Sequence, residues 1–337
     1  MARRFQGADG IRACACLIVL ILHSVVLLYQ GLHGYLIGLP KLGVWIFFVL
    51  SAFLLTVKFE ADGFQPKALC SYVIGRILRI LPLYILFVVV YRYVGTAGIN
   101  SDADMWMALS LQGGYSHLWT IPVEFKYYLF LPAVSFVALW CRNSYGYGCA
   151  VAVGVLMILL QQAIWPYWDT PTVTTDVYWY FSCFTIGTFA AVILPAVSPL
   201  INANRADLLV TVLLVSAVVI SPYFQYKVFG IVPSDYLVNK FVFLSFGCAV
   251  LTLSLISGAG FYGRILSSRL FTLIGKWSYS IYLVHWLIIV KVYDYLPYSV
   301  WGVLTATIIS VIAGGLIHHV LERPIENVRH KLMSRIS

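Results

Sequence analysis

The sequence predicts an all-α protein that crosses the membrane about ten times, and three observations carry this prediction. Of the 337 residues, 61% are hydrophobic and only 10% are charged. The mean hydropathy is +0.89, which is far above the average for soluble domains. The apolar residues form continuous runs rather than alternating patterns, which favours spanning helices over a β-barrel.

Apolar stretches follow one another along the chain, and a spanning helix needs about 20 mainly apolar residues. Helices satisfy their backbone hydrogen bonds internally, as hydrocarbon requires. No small-residue cleavage site follows the first stretch, which is therefore expected to be retained. Because no long linker interrupts the series, residues 1–337 are predicted to form a single membrane domain. The predicted spans are approximately 11–29, 43–59, 80–95, 118–140, 148–165, 178–194, 208–222, 239–257, 274–293 and 300–320.

Positive charges are distributed unequally between the predicted loops, and this asymmetry sets the orientation. With Arg3 and Arg4 in the cytoplasm, most other basic residues fall on the same side. The opposite side holds only Lys41, Arg92, Lys227, Lys240 and Lys291. Both termini are therefore expected to be cytoplasmic. Topology explains most of the net charge of +9. Nucleic-acid binding is not expected, because the sequence has no basic run interleaved with aromatic residues in a soluble segment.

Ionisable residues at membrane depth are the first candidates for chemistry, because such groups are costly in hydrocarbon. Arg12 and His23 are eleven residues apart, which is about 20° beyond three helical turns, so they share one face of the first span. The spacing also gives about 16 Å of rise, which places His23 near the middle of a core about 30 Å thick. The alternative is that His23 simply hydrogen-bonds a neighbouring helix.

Arg76 and Arg79 lie just before the third span and are neighbours on one helical face. Two guanidinium groups suit phosphate, because each presents a planar fork of N–H donors. The alternative interpretation is an ordinary positively charged flank on the cytoplasmic side. The pair is thus a candidate site for a phosphorylated ligand.

Glu124 lies a few residues inside the fourth span, which the chain enters from outside after Trp119. Tyr127 and Tyr128 follow at i+3 and i+4, and Lys126 is close enough in sequence to neutralise the carboxylate. We expect Glu124 and its aromatic neighbours to form part of an outer vestibule that receives a sugar. Glu124 is a candidate acid, base or sugar-hydroxyl ligand, and the alternative is a structural ion pair.

Polar residues also follow one face of the ninth span and the end of the last. Ser278, Tyr282 and His285 are spaced by four and three and therefore line one helical face. They suit substrate binding or, alternatively, hydrogen bonding between helices. The last span ends with two i,i+4 pairs, His318 with Glu322 and His319 with Arg323, which favour a salt-bridge cluster at the helix end.

Several short motifs, taken in order, resemble those of the acyltransferase-3 family of integral membrane acyltransferases. The resemblance extends from residue 9 to residue 324. Ala52 stands where the family usually has Gly, and Thr120 stands where Ser commonly follows the Trp. The motifs are DGIR at 9–12 with His23 eleven residues after Arg12, FFVLSAFLL at 47–55, RILRILPLY at 76–84, LWTIPVEFKYYLFLP at 118–132, SYSIYLVH at 278–285 and ERP at 322–324.

The resemblance implies a bacterial inner-membrane enzyme that transfers an acyl group to a glycan of the cell envelope, such as O-antigen. The acyl group is commonly acetyl, taken from acetyl-CoA at the cytoplasmic side. By this resemblance His23 is the central catalytic residue, and Arg12, Arg76 and Arg79 hold the CoA phosphates. Some members carry an esterase-like C-terminal domain. The chain ends soon after the tenth predicted span, so transfer is expected to finish within the membrane domain or with a partner.

The expected chemistry is general-base catalysis with no metal and no permanently bound cofactor, acyl-CoA being a co-substrate. Neutral His23 takes the proton of the attacking hydroxyl, for which imidazole is suited near pH 7. A covalent acyl intermediate on His23 or another side chain is the alternative. Oligomeric state is left open. Glu124 is the second catalytic candidate, and the substrate-binding candidates are Trp119, Tyr127, Ser278 and His285.

A transporter or flippase for an envelope saccharide or lipid-linked intermediate is the alternative function. Intramembrane charges mark substrate and proton pathways as well as catalytic sites. Against this alternative, the sequence shows no pair of matching broken helices in its two halves, which is the usual pointer to a carrier site. The GxSxG and HExxH motifs are also missing from the sequence, which argues against a lipase-like nucleophile and a zinc protease.

Overall fold

The structure, a computed structural model, describes residues 5–36, 38–233 and 236–336. Arg3 and Arg4 lie outside these residues. Within the described ranges all regular elements are helical, so the predicted all-α fold is confirmed. The α-helices are α1 (Ala8–Leu28), α2 (His33–Leu36), α3 (Pro40–Asp62), α4 (Pro66–Val94), α5 (Asp102–Leu109), α6 (Thr120–Tyr145), α7 (Tyr147–Ile164), α8 (Val177–Val197), α9 (Ala203–Val219), α10 (Pro222–Phe229), α11 (Phe241–Leu255), α12 (Gly260–Leu266), α13 (Arg269–Tyr295), α14 (Val300–Ile317) and α15 (Arg323–Ile336).

The number of spans agrees with the sequence prediction. Within the described ranges, eight helical segments are long and apolar enough to cross a membrane. The number rises to ten if two bent pairs each count as one span: α9 with α10, bent by 66°, and α11 with α12, bent by 86°. Pro222 begins α10 and lacks the N–H that would continue the preceding helix. The cytoplasmic orientation of the termini stays a prediction.

Helices α1 and α13 pack closely side by side, and a glycine allows their approach. A Cβ added at Gly275 would lie 1.8 Å from the backbone oxygen of Asp9, so any side chain there would push the helices apart. Further along the two helices, Cys16 Sγ lies 3.6 Å from the backbone oxygen of Ser278. This packing sets the register between the face that carries Arg12 and the face that carries Ser278.

Replacing Gly275 with alanine should destabilise the bundle by about 1–3 kcal/mol, because overpacking forces backbone movement. The measurement is the unfolding free energy of the purified protein in detergent. Gly247→Ala, in α11, is the matched control, since its added Cβ comes no closer than 3.5 Å to Leu213. That variant should be as stable as the native protein or slightly more so. Equal stability of the two variants would contradict this packing argument.

The last span ends in a π-helical turn, His318–Glu322, which turns Glu322 inward. Its Oε2 accepts hydrogen bonds from Ser280 Oγ at 2.6 Å and from His318 Nδ1 at 2.9 Å. The predicted pair of His318 with Glu322 is therefore present. The predicted pair of His319 with Arg323 is wrong, because His319 Nδ1 instead donates to the backbone oxygen of Gly315 at 2.7 Å.

Candidate active site

A cavity of about 110 Å³ between α1, α3, α4, α6 and α13 collects residues that are distant in the sequence. It is large enough for several water molecules or a small acyl group. Of the predicted site residues, it brings together the three arginines, Glu124 and Ser278. We call it the arginine cavity, and its polar lining consists of Arg12, Ser51, Arg76, Arg79, Thr120, Glu124, Tyr128, Ser278, Tyr279 and Tyr282.

The three arginines are only partly neutralised by nearby carboxylates. Arg12 Nη1 lies 2.8 Å from Asp9 Oδ1, and Arg79 Nη1 lies 3.7 Å from Glu326 Oε1. The guanidinium carbon of Arg76 lies 5.8 Å from the centre of the Tyr128 ring, a cation–π distance. Like charges that share one cavity repel each other, and an anionic ligand relieves this repulsion. The cavity is therefore a candidate site for an anionic ligand.

Glu124 is part of a short hydrogen-bond chain in the cavity wall. The Tyr128 hydroxyl donates to Glu124 Oε1 at 2.5 Å, and Ser51 Oγ lies 2.8 Å from the same hydroxyl. Because the phenol proton goes to the carboxylate, Ser51 is the donor in the second bond. The predicted neutralisation by Lys126 is wrong, since Lys126 Nζ donates to the backbone oxygen of Thr175 at 3.0 Å.

Glu124 lies close to the arginines, a grouping that the sequence did not predict, and its place in an outer vestibule stays a prediction. Helix α6 begins at Thr120, whose hydroxyl lies 2.7 Å from that of Tyr282 in the interior of α13. One turn later, Glu124 lines the same cavity as Arg76. The carboxylate and the guanidinium groups therefore form one site.

His23 and His285 form a hydrogen-bonded pair between α1 and α13. His23 Nδ1 lies 3.1 Å from His285 Nε2, and the two rings are within 8° of parallel. His285 Nδ1 lies 2.6 Å from the backbone oxygen of Tyr282, which only accepts hydrogen bonds, so this nitrogen carries a proton. In neutral His285 the Nε2 is then an acceptor, and His23 Nδ1 donates to it. Because Nδ1 of His23 carries the proton, the free lone pair of this ring is on His23 Nε2.

The histidine pair adjoins the arginine cavity without lining it. His285 is 1% exposed, whereas His23 is only partly buried. Tyr282 connects the two regions, because its side chain lines the cavity and its backbone oxygen holds His285. The eleven residues from Arg12 to His23 give about 16 Å of helix rise. A ligand that reaches both regions must therefore be elongated.

Besides His285, two further predicted substrate-binding residues do not line the arginine cavity. Trp119 is 5% exposed, and its ring centre lies 5.2 Å from that of Tyr180. Tyr127 is fully buried and stacks on Phe184 with 4.1 Å between ring centres. Both side chains belong to packed aromatic clusters. A substrate-binding role for either residue stays a prediction.

Sequence reasoning missed His117, which lies beside the histidine pair. Its ring centre is 4.7 Å from that of His285 and 5.6 Å from that of Trp286, on which it stacks. Its position two residues before Trp119, at the entrance to a span, was the available signal. Across the described ranges, no group of three or more His, Cys, Asp or Glu side chains is arranged to hold a metal ion.

Broken helices are present in the described structure, although the sequence suggested no matching pair. Both bent pairs lie between residues 203 and 266, in the second half of the chain. None of their residues lines the arginine cavity. Their placement in consecutive segments differs from the two-halves arrangement that is typical of carriers.

The family model and the curated relatives that match this chain are all described as acyltransferases. The family model described as "Acyltransferase domain" matches residues 5–319. A "Putative O-acetyltransferase" of Staphylococcus aureus (strain COL) is 26% identical over 328 residues, which cover 87% of this chain and 52% of the relative. A "Putative peptidoglycan O-acetyltransferase" of Bacillus subtilis (strain 168) is 24% identical over an alignment of 375 residues. This alignment covers 99% of this chain and 56% of the relative. The chain thus spans about half the length of these curated relatives. No solved structure matches it.

Proposed function

Because the chain belongs to the acyltransferase-3 family of multi-pass membrane proteins, we propose that it moves an acyl group from acyl-CoA to a hydroxyl of a cell-envelope glycan. The observation that carries this proposal is the adjacency of the arginine cavity and the histidine pair. The cavity offers cations for phosphate groups, and the lone pair on His23 Nε2 offers a base for a hydroxyl.

Acetyl-CoA is the proposed acyl donor, entering from the cytoplasmic side. Arg12, Arg76 and Arg79 would bind its phosphates, with Glu124 as a hydrogen-bond acceptor beside them. The pantetheine arm is elongated and would bridge the distance from the arginines toward His23. Ser278 lies on the cavity wall along this path and would contact the arm. The acyl donor is thus a co-substrate held by charge at one end and delivered to a base at the other.

In the proposed reaction, His23 acts as a general base. Its Nε2 takes the proton of the glycan hydroxyl while that oxygen bonds to the thioester carbonyl carbon. The carbon–sulfur bond then breaks, and the proton passes to the leaving thiolate. His285 positions His23, because the bond at 3.1 Å fixes the His23 tautomer and ring, and it shares the positive charge that develops. An acyl-imidazole on Nε2 is the alternative route, which rapid acid quenching with labelled acyl donor would detect.

The acceptor is proposed to be a glycan hydroxyl on the outer side of a bacterial inner membrane, such as one of O-antigen or peptidoglycan. The names of the relatives support O-acetyl transfer, and one of them specifies peptidoglycan. The partly exposed His23 supports access for an acceptor. The bilayer is the surrounding partner.

Replacing His285 with phenylalanine should lower kcat without changing KM for acetyl-CoA. The ring volume is nearly kept, but the acceptor for His23 Nδ1 is lost, so His23 no longer holds one tautomer. We expect a loss of about 10- to 100-fold, comparable with second-shell effects on other imidazoles. Steady-state kinetics over a range of pH measure it, because a positioning role also alters the pH profile. An unchanged kcat and pH profile would refute the positioning role.

Mass spectrometry of envelope glycans and lipids tests the proposed function as a whole. Cells expressing the native chain should show an O-acyl mass increment that is missing with His23→Ala at equal membrane levels. The increment identifies both the acyl group and the acceptor. An equal increment in both strains would show that His23 is not the catalyst.

A further inference from the structure

Tyr282 belongs to both parts of the site. Its side chain lines the arginine cavity, whereas its backbone oxygen accepts the hydrogen bond from His285. The ring centres of Tyr282 and His285 are 5.6 Å apart. Among the cavity-lining residues of α13, Tyr282 is the nearest in sequence to His285. A thioester that passes from the cavity to the histidine pair therefore meets this phenol.

The Tyr282 hydroxyl forms hydrogen bonds with two neighbours, and its O–H bond can still rotate. It donates to the backbone oxygen of His117 and lies 2.7 Å from Thr120 Oγ1. Because the phenol proton goes to the carbonyl, Thr120 donates to the phenol oxygen. Rotation about the carbon–oxygen bond alone would turn the phenol proton to another acceptor. The side chain is 8% exposed, so a hydrogen bond from it acts where little water competes.

Acyl transfer needs such a donor, because attack on a thioester places negative charge on the carbonyl oxygen. The arginines that hold the phosphates lie too far away, since Arg12 is separated from His23 by about 16 Å of helix rise. We propose that the Tyr282 hydroxyl donates a hydrogen bond to this oxyanion and is a catalytic residue. The inference rests on the proposed function and names a further group that performs it.

The step balances without a further reactant. The glycan oxygen bonds to the carbonyl carbon, and its proton goes to His23 Nε2. The electron pair of the carbonyl π bond moves to the oxygen, which accepts the hydrogen bond from Tyr282. When the oxyanion collapses, the carbon–sulfur bond breaks and the proton moves from His23 to the thiolate. Tyr282 keeps its own proton throughout.

Tyr282→Phe tests the inference, because it removes the hydroxyl and keeps the backbone oxygen that holds His285. We expect kcat to fall about 10²- to 10³-fold, as for loss of one oxyanion donor, with KM for acetyl-CoA unchanged. Incorporation of monofluoro- and difluorotyrosine at position 282 varies the acidity of the phenol. If the hydroxyl only joined two helices, kcat would not follow this acidity. The more acidic phenols of the fluorotyrosines donate stronger hydrogen bonds, so kcat should increase with phenol acidity.

Tyr91→Phe is the matched control. Tyr91 is fully buried, and its hydroxyl donates to the backbone oxygen of Leu283 at 2.7 Å, so it also ties a neighbouring helix to α13 but does not line the cavity. Its kcat should stay near the native value. Equal losses in both phenylalanine variants, with no trend among the fluorotyrosines, would overturn the inference. If the native protein transfers acyl groups and the Tyr282→Phe variant does so equally well, this inference alone is overturned. If the native protein shows no transfer, the proposed function is overturned too.

Discussion

The His23→Ala variant should lose acyl transfer almost completely while inserting and folding normally. General-base catalysis contributes about 10²- to 10⁴-fold to a rate, and the hydrogen bond to His285 prepares His23 Nε2 for this role. The loss should appear in kcat, because His23 does not line the arginine cavity. Labelled acetyl transfer by purified protein in liposomes, at several acetyl-CoA concentrations, measures kcat and KM separately.

His33→Ala is the control for the His23 experiment. His33 lies in the short helix α2 and is exposed, so its removal should leave kcat and KM at native values. Thermal unfolding of both variants in detergent checks that the fold survives. A well-folded His23→Ala protein with native kcat would show that His23 only joins two helices.

The Arg76→Ala, Arg79→Ala double variant should bind acetyl-CoA much more weakly. Hydrogen bonds to charged groups contribute about 1.5–3 kcal/mol each, so the loss of two such contacts should raise KM for acetyl-CoA by about 10²-fold or more. Arg76 should contribute more than Arg79, because Arg79 is already paired with Glu326. Kinetics of the single and double variants measure this difference.

A shortened acyl donor shows whether the arginines act through phosphate. Acetyl-pantetheine lacks the phosphates of acetyl-CoA, so the double variant should use it as well as the native protein does. Arg264→Ala is the charge-matched control, because Arg264 is exposed on α12 and does not line the cavity. Equal losses with acetyl-CoA and acetyl-pantetheine would mean that the arginines only support the fold.

The sequence alone predicted the helices and the residues within one helix that share a face. Continuous apolar runs define spans because hydrocarbon leaves few alternatives to a helix. The same periodicity places Arg12 and His23 on one face of α1, and it makes Arg76 and Arg79 neighbours. Both of these arginines line the same cavity as Arg12.

Contacts between helices could not be predicted, because they depend on the register of one helix against another. The bond between His23 and His285 depends on how closely α1 approaches α13, which the contact of Gly275 with Asp9 allows. The depth of Glu124 depends on where α6 starts relative to α13. Neither quantity is encoded in periodicity, so the grouping of Glu124 with the arginines was not predicted and the role of Lys126 was wrong.

Sealed proteoliposomes provide the most direct test of the central claim, which is acyl transfer from CoA to a hydroxyl by this membrane domain. Acetyl-CoA with a labelled acetyl group is supplied on one side and a glycan acceptor on the other. Our account predicts label covalently attached to the acceptor with the native protein and none with His23→Ala. Passage of the glycan or the acyl donor across the bilayer, chemically unchanged and equal in both proteins, would contradict it and identify a carrier.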